Sequence, residues 1–393
     1  MTSAPTEIQL SRGTIRFDRN ELAGAFGDIG TDLPLIVGII LAAKLDCASA
    51  LILFGTMQVL TALRYRMPMP VQPLKAMAAL VIAQKIGGNV LFGAGLAIGV
   101  VMLFLTLTGL IDWLARVVPK VVVRGIQFGL GLQLSSIALK DYVQADGMSG
   151  YVLAAIGFCL LVAFMGNRRF PAALFVIVLG LVYACVFKLN TPTLYQGIGF
   201  RLPHTHVPQW HDVLTGFILL ALPQLPLSLG NSVLATRQIA EDLFPDRRLT
   251  VRAISFTYSM MNLINPFFGG IPTCHGSGGM AGHYAFGGRT GGSVILYGSL
   301  FLTLGFFFSG AFAQIVQVFP LPILGVLLLF EGLAMMLLVR DQAASKIDLP
   351  IALVVGLIAF GLPYGYVVAL IGGTILALVA RRRAGTLDLF ANR

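Results

Sequence analysis

The chain reads as an all-α polytopic membrane protein of fourteen spans in two inverted seven-span repeats. Composition, the distribution of cations, and two Pro/Gly-interrupted segments at matching places in the two halves lead to that class. Of its residues 57% are hydrophobic and 11% charged, with 45 glycines and a mean hydropathy of +0.86, a composition that excludes a large soluble domain. A span needs about 20 apolar residues. Candidates fall near residues 22–43, 47–63, 70–86, 90–113, 120–139, 150–165 and 170–188, and again near 212–234, 251–268, 273–287, 292–312, 316–338, 348–362 and 364–380. The expected organisation is a cytoplasmic segment 1–20, a first repeat 21–190, an external linker 191–211, a second repeat 212–382 and a cytoplasmic tail 383–393.

Cations test this arrangement, because cytoplasmic loops carry the Lys and Arg excess. With the N-terminus inside, only Lys44, Lys85, Lys140, Lys188 and Arg201 fall outside, Lys75 and Arg124 lie within spans, and every other Lys and Arg is cytoplasmic. Both termini are therefore expected in the cytoplasm of a cell-membrane protein. The net charge of +10 reflects that topology and gives no support to nucleic-acid binding. The stretch before Glu21 lacks the apolar region and cleavage site of a signal peptide. Cys47, Cys159, Cys185 and Cys274 are scattered through apolar stretches without CxxC spacing, so they read as packing residues.

Taken in order, the first span carries Asp32-Leu33-Pro34-Leu35 and Gly38, echoed by Gln224-Leu225-Pro226-Leu227 and Gly230 in the eighth. Third in each half come the interrupted segments, Pro68-Met69-Pro70-Val71-Gln72-Pro73-Leu74-Lys75 and Gly269-Gly270-Ile271-Pro272-Thr273-Cys274-His275-Gly276-Ser277-Gly278-Gly279. In the fifth and twelfth, Pro119 with Gly125 recurs as Pro320 with Gly325. All three pairs are separated by about 200 residues, and an odd number of spans per half inverts the second copy. Non-helical backbone at membrane depth survives only where it lines a cavity or is packed in protein, so paired broken helices point to a substrate site.

Four stretches, Ala23–Thr31 (AGAFGDIGT), Met67–Ala76 (MPMPVQPLKA), Pro223–Ala235 (PQLPLSLGNSVLA) and Cys274–Gly282 (CHGSGGMAG), resemble the signature blocks of the molybdate transporter family, which is related to the SulP sulfate transporters. The similarity runs over essentially the whole chain. It implies molybdate import by alternating access on a seven-plus-seven inverted-repeat fold with core and gate subdomains, and, by analogy with related families, a homodimer. Asp32 departs from the family pattern, which often has an aromatic or aliphatic residue there. Only about ten residues follow Arg383, so the STAS domain usual in full sulfate transporters is not expected.

The interrupted segments suit a tetrahedral dianion. One short helix is expected to begin around Pro73 and another near Cys274 or His275. Helix N-termini offer free N–H groups and about half a positive charge, and a desolvated dianion needs a donor for nearly every oxygen. The candidate donors are the backbone N–H groups of Leu74, Lys75, His275 and Gly276 and the side chains of Gln72, Thr273, Ser277, Gln224, Ser228 and Thr31. Lys75 has two readings, charge compensation for the anion or an ion pair with Asp28 or Asp32, since a lysine within a span is costly unless functional or paired. Asp28, Asp32 and Glu331 read as candidates for coupling or charge pairing; Asp28 and Glu331 read as proton carriers or as structural groups, Glu331 bonding neighbouring helix ends and Asp28 capping a break in span one. Arg124 is expected to snorkel to the interface. His204 and His206 lack further ligands for a metal, and Cys274 with His275 lacks a third catalytic member. No cofactor, metal or enzymatic activity is expected. The competing functions are transport of sulfate or another oxyanion, an anion channel, and nucleobase–cation symport.

Overall fold

The computed structural model describes residues 14–111, 113, 118–165, 172–188 and 195–391, with the backbone alone at 381 and 383–391. Arg12, Arg116, Arg168, Arg169 and Arg393 of the charge argument lie outside the described residues, as do the expected boundary at 190 and the start of the linker. The described part is almost entirely helical: α1 Arg19–Ala25, α2 Ile29–Ala43, α3 Cys47–Tyr65, β1 Val71–Pro73, α4 Lys75–Gln84, α5 Gly88–Thr108, α6 Lys120–Ile137, α7 Gly147–Ala163, α8 Ala172–Phe187, α9 Trp210–Gly216, α10 Leu222–Leu227, α11 Thr236–Leu243, α12 Val251–Ile264, β2 Thr273–His275, α13 Ser277–Ala285, α14 Gly292–Val318, α15 Leu321–Leu337, α16 Asp348–Gly361 and α17 Gly365–Ala391. Among the described residues seven helical segments are long and apolar enough to cross a membrane, and five apolar helices are shorter. Large hydrophobic side chains such as Phe104, Ile156, Val182, Phe307, Leu357 and Ile375 face outward, as lipid contact requires. The chain is an integral membrane protein.

Local signals fix the helix ends. Asp46 accepts from Ser49 N at 2.7 Å to open α3, and Thr250 accepts from Ala253 N at 3.1 Å to open α12, each satisfying a donor that the first turn leaves free. Lys44, Arg66 and Lys85 close α2, α3 and α4 in the left-handed region at φ 54°, 52° and 51°, where a cation complements the negative helix end. Pro119 and Pro320, paired in the sequence, both stand immediately before a helix, α6 and α15. Glu21, buried at the start of the first span, accepts from Arg289 N, Thr290 N and Ser293 N, each at 2.9 Å. This carboxylate caps α14 from a distant part of the chain.

Packing sorts the helices into two groups. In one, α3 lies along α14, α2 meets α4, and α5 meets α9 and α12; in the other, α6 packs on α15 and α16, α16 on α17, and α7 on α8. Small residues let backbones meet at these crossings. A Cβ at Gly55 would lie 2.6 Å from Gly298 O, and one at Gly129 would lie 2.7 Å from Gly356 O.

Some elements differ from the sequence expectation. The first span is broken at residues 26–28, but the Asp28 side chain caps no N–H. The eighth runs from Trp210 to Leu243, nine residues beyond its expected end, and is π-helical at Phe217–Ala221 and Ser228–Ala235. Pro226 cannot donate the usual N–H, and the wider turns accommodate that loss. Arg124 pairs with an acid beyond the end of α15: its Nε and Nη2 reach Asp341 Oδ2 at 2.9 and 2.7 Å. Cys159 and Cys185 are exposed on outward faces, while Cys47 and Cys274 are buried.

Candidate functional site

The two interrupted segments meet. β1 and β2 pair antiparallel with Val71 opposite His275, Gln72 opposite Cys274 and Pro73 opposite Thr273. Proline at 73 and the prolines before each strand keep these residues extended. Each strand leads within two residues into a short helix, α4 after Leu74 and α13 after Gly276. These helices therefore begin later than expected, at Lys75 and Ser277, because the residues before them are spent in strand pairing.

Two amides hold the ribbon's outer edges by the same device. Gln58 on α3 donates to Val71 O at 2.6 Å and accepts from Val71 N at 2.8 Å. Asn262 on α12 donates to Thr273 O at 2.6 Å and accepts from Thr273 N at 3.0 Å. Three residues on from each, Thr61 donates to Met69 O and Asn265 to Ile271 O. Buried backbone groups that would otherwise lack partners are thus satisfied. The sequence signal for them is a polar residue inside an apolar span, which the interrupted segments themselves overshadowed.

Beside the ribbon lies a cavity of about 190 Å³ bordered by Gln72, Lys75, Gln224, His275, Gly276, Ser277 and Glu331 from the expected set. Roughly 10–15 Å³ of such space holds one water, so an oxyanion with part of its hydration shell fits. Leu74, Thr273, Ser228, Thr31, Asp28 and Asp32 do not border it. Leu74 N donates to Pro272 O at 3.1 Å, which removes it from the expected donors. Thr273 is taken up by Asn262 and Asn265. Thr31 lies in the first turn of α2, its N–H bonded to Asp28 O.

The two helix ends differ. Gln224 Oε1 accepts from Ala76 N at 2.9 Å and Met77 N at 3.3 Å, so a side-chain oxygen already occupies the start of α4. Its Nε2 donates to Ser228 Oγ, which shares a 2.7 Å bond with Tyr258 Oη; Gln224 and Ser228 are scaffold and not free donors in this state. By contrast Gly278, in the first turn of α13, is exposed, and a Cβ there would meet nothing. That helix end opens on the cavity. Gly276 and Gly279 are required for different reasons: a side chain at 276 would run into Gln72, and one at 279 into the Asp28 carboxylate and Pro70.

Charges also pair differently from the expectation. Lys75 Nζ lies 2.7 Å from Glu331 Oε1, and not against Asp28 or Asp32. Asp28, fully enclosed, takes Gln72 Nε2 at 2.7 Å on both oxygens, so the Gln72 amide is also committed. Asp32 Oδ2 accepts from Tyr297 Oη at 3.2 Å. Glu331 consequently bonds a lysine and not a helix end. His275 Nε2 is 2.7 Å from Thr257 Oγ1, with Tyr65 edge-on to its ring, so the ring braces the ribbon.

Further polar residues border the cavity: Gln127 from α6, and Asn231 and Ser232 from the π-helical turn. Gln127 Oε1 accepts from Arg124 Nη1 at 2.9 Å, while its buried Nε2 has no partner. A buried donor left unpaired is rare and asks for an explanation. The arrangement supplies a cation, an open helix start and an unpaired amide donor around one small space, which is suited to holding an oxyanion.

Residues 20–134 and 216–335 match the family model described as molybdate transporter of the MFS superfamily. Molybdate transporter 2 of Arabidopsis thaliana is 34% identical over 376 residues, covering 83% of this chain and 80% of its own. Molybdate transporter 1 of Chlamydomonas reinhardtii is 26% identical over 483 residues, covering 93% of this chain and 89% of its own. Among solved structures, the transmembrane domain of a cyanobacterial bicarbonate transporter, BicA, superposes with a TM-score of 0.67 at 18% identity, covering 93% of this chain and 98% of that one. The murine Solute Carrier 26 family member A9 anion transporter in the inward-facing state gives 0.70 at 14% identity, covering 95% and 69%. The fold is thus that of these transporters, and by sequence the chain belongs to the molybdate transporter family, an anion transporter of the membrane and not an enzyme.

Proposed function

We propose that the protein imports molybdate across the cell membrane by alternating access. In this reading fourteen spans form two inverted repeats, 21–190 and 212–382, with both termini in the cytoplasm; α4 and α13 are half-helices starting near the midplane, and the group containing them moves against the group built on α6 and α15. The observation that carries the substrate assignment is the open first turn of α13, Ser277 and Gly278, in one cavity with Lys75 and the unpaired Gln127 amide. Antiparallel pairing of the strands and the matched clamps of Gln58 and Asn262 support the inverted repeat. A dianion there gains a compensating cation and helix-end donors, which offset its desolvation.

Uptake of labelled molybdate into proteoliposomes tests this. Saturable uptake is expected, reduced by about tenfold or more in Lys75→Met, because a hydrogen bond to a charged group contributes roughly 1.5–3 kcal/mol. Sulfate in excess should compete weakly, since size and donor placement must separate two anions of equal charge. Uptake that stays linear with concentration contradicts a carrier, and undiminished uptake by Lys75→Met contradicts the site.

A further inference from the structure

Lys75 is the one lysine or arginine among the described residues that borders the cavity, and it is already engaged, with Glu331 Oε1 at 2.7 Å. The partners belong to different groups of helices: Lys75 opens α4, and Glu331 lies on α15, which packs along α6. Other ion pairs of the described residues, such as Arg124 with Asp341 and Lys188 with Asp146, join elements within one group. We propose that Glu331 is a tethered competitor of the substrate: its carboxylate holds Lys75 while the site is empty, and an entering oxyanion displaces it, detaching α15 from α4.

The inference rests on the cavity being the oxyanion site. Its physical basis is that carboxylate and oxyanion ask the same thing of a lysine, a point charge with N–H donors. A dianion and a carboxylate set against one ammonium repel each other, because like charges at such range interact strongly. While Glu331 holds Lys75, its own negative charge repels an entering anion until it withdraws. Glu331 can withdraw with its helix: Gly332 beside it abuts Gly131 O and Ser135 on α6, so α15 is fastened to α6, which meets α4 over a smaller contact. Substrate occupancy is thereby tied to the contact between the two groups, and apparent affinity is reduced by the fraction of time Lys75 is held.

The test is molybdate binding by titration calorimetry with the full-length chain in nanodiscs, using the natural protein, Glu331→Gln, Glu331→Asp and Lys75→Met, alongside proteoliposome uptake. Removing the competitor should tighten binding about tenfold in Glu331→Gln, with Glu331→Asp, whose shorter arm reaches Lys75 less well, in between. KM and maximal rate should fall together, because the carboxylate no longer helps to expel the substrate. A merely structural ion pair gives the opposite sign: unchanged or weaker binding in both Glu331 variants overturns the competitor, while loss of binding in Lys75→Met alone leaves the site standing. If the natural protein binds no molybdate, site and competitor fall together.

Discussion

Gln224 and Gln127 are two buried amides on one cavity wall with opposite accounts. Gln224 spends its oxygen on Ala76 N and Met77 N and its nitrogen on Ser228. Gln224→Leu orphans two helix-start donors and should lower stability by about 1–3 kcal/mol, read as a fall in the thermal unfolding midpoint. Gln127 keeps an unpaired Nε2, so Gln127→Leu should weaken molybdate binding by about tenfold in calorimetry, the value of one hydrogen bond to a charged group, without the same loss of stability. Lys75 was legible in the sequence because a cation in an apolar span demands an explanation. Which of the three candidate acids pairs with it was not. Asp28 and Asp32 stand near it in any span-by-span reading, but Gln72 holds the first and Tyr297 bonds the second, and only packing brings Glu331 across. Gln127, Asn231 and Ser232 were visible as polar residues in spans, yet nothing local says that they share a cavity.

The ribbon of β1 and β2 depends on its clamps. Gln58→Leu or Asn262→Leu removes two hydrogen bonds and leaves a buried backbone N–H and C=O unpaired, at a cost of about 3 kcal/mol. Both variants should lose monodisperse protein in size-exclusion chromatography to a similar degree, whereas a large loss in only one argues against equivalent halves. That PMPVQP and the Gly/Pro-rich 269–279 stretch leave the helix was readable from proline and glycine. Their pairing was not, since it joins residues some 200 positions apart and exists only once both halves are folded. For the same reason nothing local marks Glu21 as the cap of α14. Glu21→Ala should lower the unfolding midpoint through that distant helix start.

Composition carried the membrane class, because lipid imposes apolar length everywhere along the chain. The grouping of helices came from the structure, through glycine-lined crossings such as Gly55 with Gly298 and Gly131 with Gly332, which no periodicity announces. The proposed topology predicts that single cysteines at Lys44 and Lys85 react with an impermeant maleimide added outside, and those at Arg66 and Arg289 only after permeabilisation. Reversed or mixed labelling contradicts the inverted repeat. The most direct test of the oxyanion site is a cryo-EM map with tungstate, whose heavy atom stands in for molybdenum. Strong density is expected at the first turn of α13, within hydrogen-bond reach of Ser277 and Gly278 and beside Lys75. Density elsewhere, with that turn and the cavity empty, would contradict it.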